Sequence, residues 1–211
     1  MSSTLYLARH GNRLDFVYPE WFNTAPRKYD PPLSDDGTIQ AQELAQRLTF
    51  ENIDHIIASP FLRTIQTAHI VAETLDLTIK LEAGLGEWHN RDWMSYPPEI
   101  NPREELETIY PRIDWSYSSL LSPVYPEDET QVLTRMETIG QLLVNHFSGN
   151  LLLIGHSMTV LGICKGLVDK NIQVKTSLCC LTKIVNQGDN WQLELSGDTS
   201  FLTNPQQKIV F

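Results

Sequence analysis

Residues 4–13 read Thr4-Leu5-Tyr6-Leu7-Ala8-Arg9-His10-Gly11-Asn12-Arg13, and this stretch decides the fold. Five residues of apolar and β-forming character predict a buried strand, which stops abruptly at two arginines around a histidine. Gly11 at the stop permits close backbone approach. An apolar strand that ends in chemistry-bearing residues is what an open parallel sheet presents along the carboxyl edge of its strands, where ligands bind.

The pattern repeats outward from there. Ala41, Leu44, Ala45 and Leu48 fall at i, i+3, i+4 and i+7, one face of a helix. His55–Ser59 reads as a second buried strand, Ile65, Ala68, Ala72 and Leu75 as a second helix, and Ile79–Leu81 as a short strand. Val132, Met136, Ile139 and Leu143 stripe a third helix, Leu151–Gly155 (LLLIG) is a strand, and Met158–Val168 a fourth helix. Ser177–Val185 and Trp191–Leu195, joined by the turn sequence NQGDN, predict a closing antiparallel hairpin. Apolar strands alternating with helices predict an α/β fold, a three-layer α/β/α sandwich around a mostly parallel central sheet.

Two stretches break this rhythm. Residues 14–33 and 88–130 hold ten of the twelve prolines, and the second also holds three of five tryptophans and four tyrosines. Linkers are rarely so aromatic, so both are expected as insertions folded over the active site of one domain spanning 1–211. The length of 211 residues fits one large domain.

Sixteen Lys+Arg against twenty-six Asp+Glu leave a net charge of −10. Such a field disfavours nucleic acid and anionic membranes as partners, and an anionic ligand must be captured by a local cluster of cations. Three cysteines, Cys164, Cys179 and Cys180, cannot build a disulfide framework and fit a reducing cytoplasm. Neither a signal peptide nor an apolar run near 18 residues is expected.

The strand ends supply the cations. Arg9 and Arg13 flank His10, Arg63 follows Ser59-Pro60, read as a helix N-cap and N1 pair, and Leu151–Gly155 runs into His156. Convergence of Arg9, Arg13, Arg63 and His156 around His10 suits a phosphoryl group, whose oxygens match the arginine fork. A neutral imidazole is a competent nucleophile toward phosphorus. Glu87, in Gly84-Leu85-Gly86-Glu87-Trp88, is the best-placed proton donor, and the apolar face of Trp88 is expected to raise its pKa.

LARHGNR, DPPLSDDG, SPFLRTIQTA, GLGEW and LIGHSMT, in that order, resemble the histidine phosphatase, or phosphoglycerate mutase-like, superfamily over roughly residues 4–165. Arg13, the Pro-rich segment before DPPLS and the NPREELETIYPRIDWSY insertion are most similar to the phosphatase domains of the suppressor-of-T-cell-receptor-signalling proteins. The resemblance implies a phosphorylated His10, phosphoryl binding by Arg9, Arg63 and His156, proton donation by Glu87, no metal or organic cofactor, and a homodimer. Its substrate is a phosphomonoester on a small molecule or a protein. Arg13 stands where mutases of the family carry the Ser of RHGES, and Leu14-Asp15-Phe16 departs from their continuation, so hydrolysis is expected over mutase chemistry.

Three rivals remain. LLLIGHSMT also resembles the G-x-S-x-G elbow of an α/β-hydrolase, but the last position is Thr159 and no histidine follows His156. The histidines show no zinc-site spacing. A catalytically silent binding protein has little reason to keep His10, Arg63, Glu87 and His156 together.

Overall fold

The computed structural model describes residues 2–188 and 190–205. Six strands form one sheet in the order β3-β2-β4-β1-β5-β6: β1 (Ser2–Arg9), β2 (His55–Ala58), β3 (Ile79–Leu81), β4 (Gly149–Gly155), β5 (Leu181–Asn186) and β6 (Trp191–Asp198). The first four are mutually parallel, and β5 runs antiparallel to both β1 and β6. The sheet is therefore mixed, with the expected parallel centre and hairpin edge. Asp189 of the expected NQGDN turn lies outside the described residues.

Side-chain alternation along the strands builds two cores. Tyr6, Ala8, Ile56, Ala58, Leu152 and Ile154 face one way and pack with Leu44, Leu48, Ile65 and Val71 from α3 (Asp35–Leu48) and α4 (Leu62–Leu75). Leu5, Leu7, Ile57, Leu151 and Leu153 face the other way, against Val132, Met136, Ile139 and Ile163 from α6 (Glu129–His146) and α7 (Ser157–Leu167). This period of two on strands and of three to four on helices is the layering that the apolar pattern predicts. Single-turn helices α1 (Leu14–Val17), α2 (Trp21–Thr24) and α5 (Arg103–Leu106) punctuate the two Pro-rich segments.

Register places the carboxyl ends together. Arg9 pairs with Gly155, and Ile154 pairs with both Ala8 and Ala58, so the residues after β1, β2 and β4 emerge side by side. The two Pro-rich segments meet over that edge: Arg27 Nη1 donates to Asn101 Oδ1 at 3.0 Å, Asn101 Nδ2 donates to Asp30 Oδ2 at 2.9 Å, and the Tyr29 hydroxyl lies 3.0 Å from Ser95 Oγ.

One expected strand is shortened. Residues 177–180 form a turn, because Cys179 adopts φ 53° and gives its N–H to the His10 carbonyl at 3.1 Å. The neighbouring cysteines thus do not alternate across a sheet.

Candidate active site

His10 is pinned by backbone on both sides. Its N–H donates to Gly155 O at 3.0 Å and its carbonyl accepts from Cys179. Behind it, Gly11 and Gly37 touch backbone to backbone: a Cβ on Gly37 would sit 2.1 Å from Asn12 O, and one on Gly11 would sit 2.4 Å from Gly37 O. Asn12 N donates to Gln40 Oε1 and Ser34 N to Asn12 O, while Ser34 Oγ caps α3 by accepting from Gly37 N. The stretch DPPLSDDG is thus the seat on which the His10 turn rests.

The His10 ring is buried, and its Nδ1 lies 2.7 Å from the Gly11 carbonyl. A carbonyl only accepts, so Nδ1 carries the proton and the lone pair is on Nε2. That atom faces Arg63 Nε at 3.4 Å. Burial first, then the positive charge of Arg63 and Arg9, hold the His10 pKa well below the usual histidine value, which keeps the ring neutral.

Arg63, from the first turn of α4, is the hub. Its Nη2 donates to Glu87 Oε2 at 3.0 Å and lies 3.3 Å from His156 Nδ1, which is itself 3.2 Å from Glu87 Oε2. Phe61 supports the group, with Arg63 stacked 4.8 Å over its ring and His156 edge-on at 5.2 Å. Burial lowers the Arg63 pKa to about 10, still above neutral pH. Burial, with Arg63 acting in the same direction, lowers His156 to about 4 against the opposing pull of Glu87. Burial pushes the Glu87 carboxyl up, but His156 and Arg63 outweigh it and hold the pKa well below the carboxylate range. The upward shift expected from Trp88 is therefore reversed: the charged neighbours on the other side of the carboxyl decide its state.

Above these groups opens a cavity of about 540 Å³, lined by Arg9, Arg13 and Arg63, by Glu87 and by Phe16, Pro19, Phe22, Tyr29, Trp93 and Met94, among others. Both Pro-rich segments supply its walls. Arg9 Nη1 donates to Thr176 O at 2.8 Å, while Arg9 Nε and Arg63 Nη1 are buried N–H groups with no acceptor among the described residues. Buried donors of this kind need a partner, and phosphoryl oxygens are acceptors of the right charge. His10, Glu87 and His156 also offer ligand atoms within 4.8 Å of one another, the geometry of a three-donor metal site. The Arg63 guanidinium contacts all three residues, so a cation already sits where a metal's charge would act.

A model of the Histidine phosphatase superfamily (branch 1) matches residues 5–199. The chain belongs to that superfamily. It is similar to the ecdysteroid-phosphate phosphatase of Drosophila melanogaster, 30% identical over 196 residues that cover 74% of this chain. It is also 28% identical, over 95% of each chain, to the probable phosphoglycerate mutase GpmB of Yersinia pestis. The crystal structure of the ecdysone phosphate phosphatase EPPase from Bombix mori, in complex with tungstate, superposes with a TM-score of 0.76 at 25% identity, covering 90% of this chain and 91% of that one. The chain spans 26% of the length of the fly protein and 57% of that of the transcription factor tau 55 kDa subunit of Saccharomyces cerevisiae, another relative.

This histidine phosphatase superfamily member also holds its site with Ser59, Asp30, Asp15 and Arg135, none of which the sequence pattern assigns to it. Ser59 is not the N-cap of α4, which starts at Leu62. Its hydroxyl accepts from Phe61 N at 3.4 Å and lies 2.9 Å from His156 Nε2; because Nδ1 faces the Glu87 carboxylate, which only accepts, Nδ1 carries the ring proton and Ser59 donates to Nε2. The acceptor at the start of α4 is Asp30, whose Oδ1 takes the Leu62 N–H at 2.6 Å and lies 3.8 Å from Arg63 Nη1. Asp15 grips Arg13 with both oxygens, at 2.9 and 2.5 Å. Arg135, buried on α6, donates to the carbonyls of Gly84 (2.7 Å), Gly86 (3.0 Å) and Glu87 (3.1 Å), with Glu127 bridging its other edge at 2.6 and 2.7 Å.

Proposed function

We propose that the chain is a phosphomonoester hydrolase that works through a phosphohistidine on His10 without a metal ion. The observation that carries this reading is the His10 ring: neutral, with its Nδ1 proton committed to Gly11 and its Nε2 lone pair turned toward Arg63, beside two buried guanidinium N–H groups that have no hydrogen-bond acceptor among the described residues. The superfamily membership and the relatives named as phosphatases support it.

The phosphoryl oxygens take the Arg9 and Arg63 N–H groups that lack a hydrogen-bond acceptor, the Nη1 side of Arg13, and the Nδ1–H of His156, which turns to them from Glu87 once that carboxylate is protonated. Fixed donors aimed at the transferring group stabilise its charge in the transition state. The substrate enters as a monoanion and passes its proton to Glu87, whose proton affinity rises once a second anion competes for Arg63. His10 Nε2 attacks phosphorus, the P–O bond to the alcohol breaks, and Glu87 returns the proton to the leaving oxygen. Water then attacks the phosphohistidine, Glu87 takes one of its protons and passes it to the departing phosphate, which leaves as the monoanion with His10 and the Glu87 carboxylate restored.

Segments 14–33 and 88–130 act as the insertions that shape the pocket above this chemistry, within one domain. No helix among the described residues is long and apolar enough to cross a membrane, and three buried free cysteines support a cytoplasmic location. The likeness to GpmB makes mutase chemistry the second reading.

One experiment separates them. Phosphate release from an aryl phosphate and interconversion of 2- and 3-phosphoglycerate are measured side by side, with and without 2,3-bisphosphoglycerate, alongside labelling of His10. Hydrolysis through an acid-labile, base-stable phosphoenzyme that His10→Ala abolishes is expected. Interconversion faster than phosphate release overturns the hydrolase reading.

A further inference from the structure

Arg13 reaches the pocket, yet one whole edge of its guanidinium is already used. Nε and Nη2 both donate to Asp15, and the remaining face lies 4.4 Å over the Phe16 ring. The Asp15 side chain is 2% exposed and still belongs to the pocket wall. The other lining cations, Arg9 and Arg63, stand at the His10 end. Beyond them the wall is Phe16, Pro19, Phe22, Tyr29, Trp93 and Met94, with Asp15 the acidic group among them. A pocket of this composition holds a phosphoryl group at its floor and offers no unoccupied arginine fork to a second anion.

We propose that Asp15 is a specificity-determining residue that confines this site to phosphomonoesters whose alcohol is apolar and uncharged. This rests on the phosphatase reading above. An arginine fork recognises carboxylate or phosphate in bidentate fashion, and here an internal carboxylate occupies the fork. A substrate carboxylate or second phosphate must either displace Asp15 or lie unpaired against aromatic walls. Both are costly: the first leaves a buried aspartate without its partner, and the second buries a naked charge. Specificity of this sort comes from an element that repels the wrong ligand as much as from one that attracts the right one. The volume of about 540 Å³ suits a ring-bearing alcohol.

Phenyl phosphate and 4-carboxyphenyl phosphate share a ring and differ in one carboxylate. The unmodified protein is expected to favour phenyl phosphate in kcat/KM by at least thirtyfold. Asp15→Asn, close in shape but neutral, narrows that preference at least tenfold, because Arg13 is then available to the substrate carboxylate; Asp15→Ser serves if the amide disturbs folding. A merely structural role of Asp15 lowers both rates together and leaves their ratio unmoved, which overturns the proposal, as does an unmodified protein that does not discriminate. Benzylphosphonate and 4-carboxybenzylphosphonate, titrated calorimetrically, read the same preference without turnover. Discrimination between the phosphonates with no hydrolysis of either ester sinks the phosphatase reading alone, whereas equal binding, or binding of neither, sinks the Asp15 assignment.

Discussion

Arg135 Nη2 donates to the main-chain carbonyl of Glu87 at 3.1 Å, so a residue on the core face of α6 holds the loop on which the carboxylate rides. Arg135 and Glu127 are 6% and 5% exposed. Removing one partner of such a pair leaves the other charge buried alone, and Arg135→Met is expected to cost about 3–5 kcal/mol of unfolding free energy in urea titrations. The double variant Arg135→Met, Glu127→Leu recovers much of that stability. It does not restore the three carbonyl contacts, and kcat stays low, by about a hundredfold for a displacement near 1 Å. A double variant with full activity refutes the bracing role.

The Arg63 guanidinium contacts His10, Glu87 and His156 at once, and the proposal that no metal is needed rests on it. Steady-state rates are expected to be unchanged after EDTA treatment. Inhibition that added zinc or manganese reverses shows that the three-donor cluster holds an ion in the working enzyme.

Acid sensitivity follows from the buried histidines. His10 and His156 have pKa values below that of an unfolded histidine, about 6.5, and His156 reaches about 4. The unfolded chain therefore binds their protons first. Stability is fully present above pH of about 6.5 and is lost as pH falls toward 4, with a slope of about 1.4 kcal/mol per pH unit for each group. Glu87, whose pKa is depressed, adds its own loss only below the unfolded carboxyl value of about 4.3. Urea unfolding between pH 7.5 and 4.5 reads this directly, and His156→Gln should flatten the slope. A profile that is level across this range contradicts the neutral histidine pair.

Gly37→Ala tests the support beneath the nucleophile. Its Cβ would come within 2.1 Å of the Asn12 carbonyl, a backbone atom that cannot swing aside. Overpacking typically costs about 1–3 kcal/mol, and the strand-end turn must shift to relieve it. A lowered denaturation midpoint together with reduced kcat is expected, although Gly37 contacts no ligand. Unchanged kcat separates the DPPLSDDG seat from His10.

The strand ends were legible because apolar runs locate a parallel sheet and the sheet locates its ligand edge. Arg9, His10, Arg63, Glu87 and His156 all meet there, as their positions at or beyond the ends of β1, β2, β3 and β4 require. Arg135 was missed, although it stands three residues after Val132 and four before Ile139, on the apolar face of its own helix, where a charge signals a buried partner. Asp15 and Asp30 gave no such signal. They lie in an aperiodic Pro-rich segment, where an acidic residue reads as solvated and its partners are set by the path of the chain. The turn at 177–180 was hidden for the opposite reason, since apolar Leu178, Cys179 and Cys180 mimic a strand while Cys179 takes a left-handed conformation.

The hydrogen bonds that join Arg27, Tyr29 and Asp30 to Asn101 and Ser95 bear on how this pocket can be transplanted. A chimera that receives only one of the two Pro-rich segments inherits half of each of these contacts, and Asp30 keeps its duties toward Leu62 and Arg63 with one oxygen left over. The two segments are thus a single exchangeable cassette, to be moved between scaffolds together or not at all.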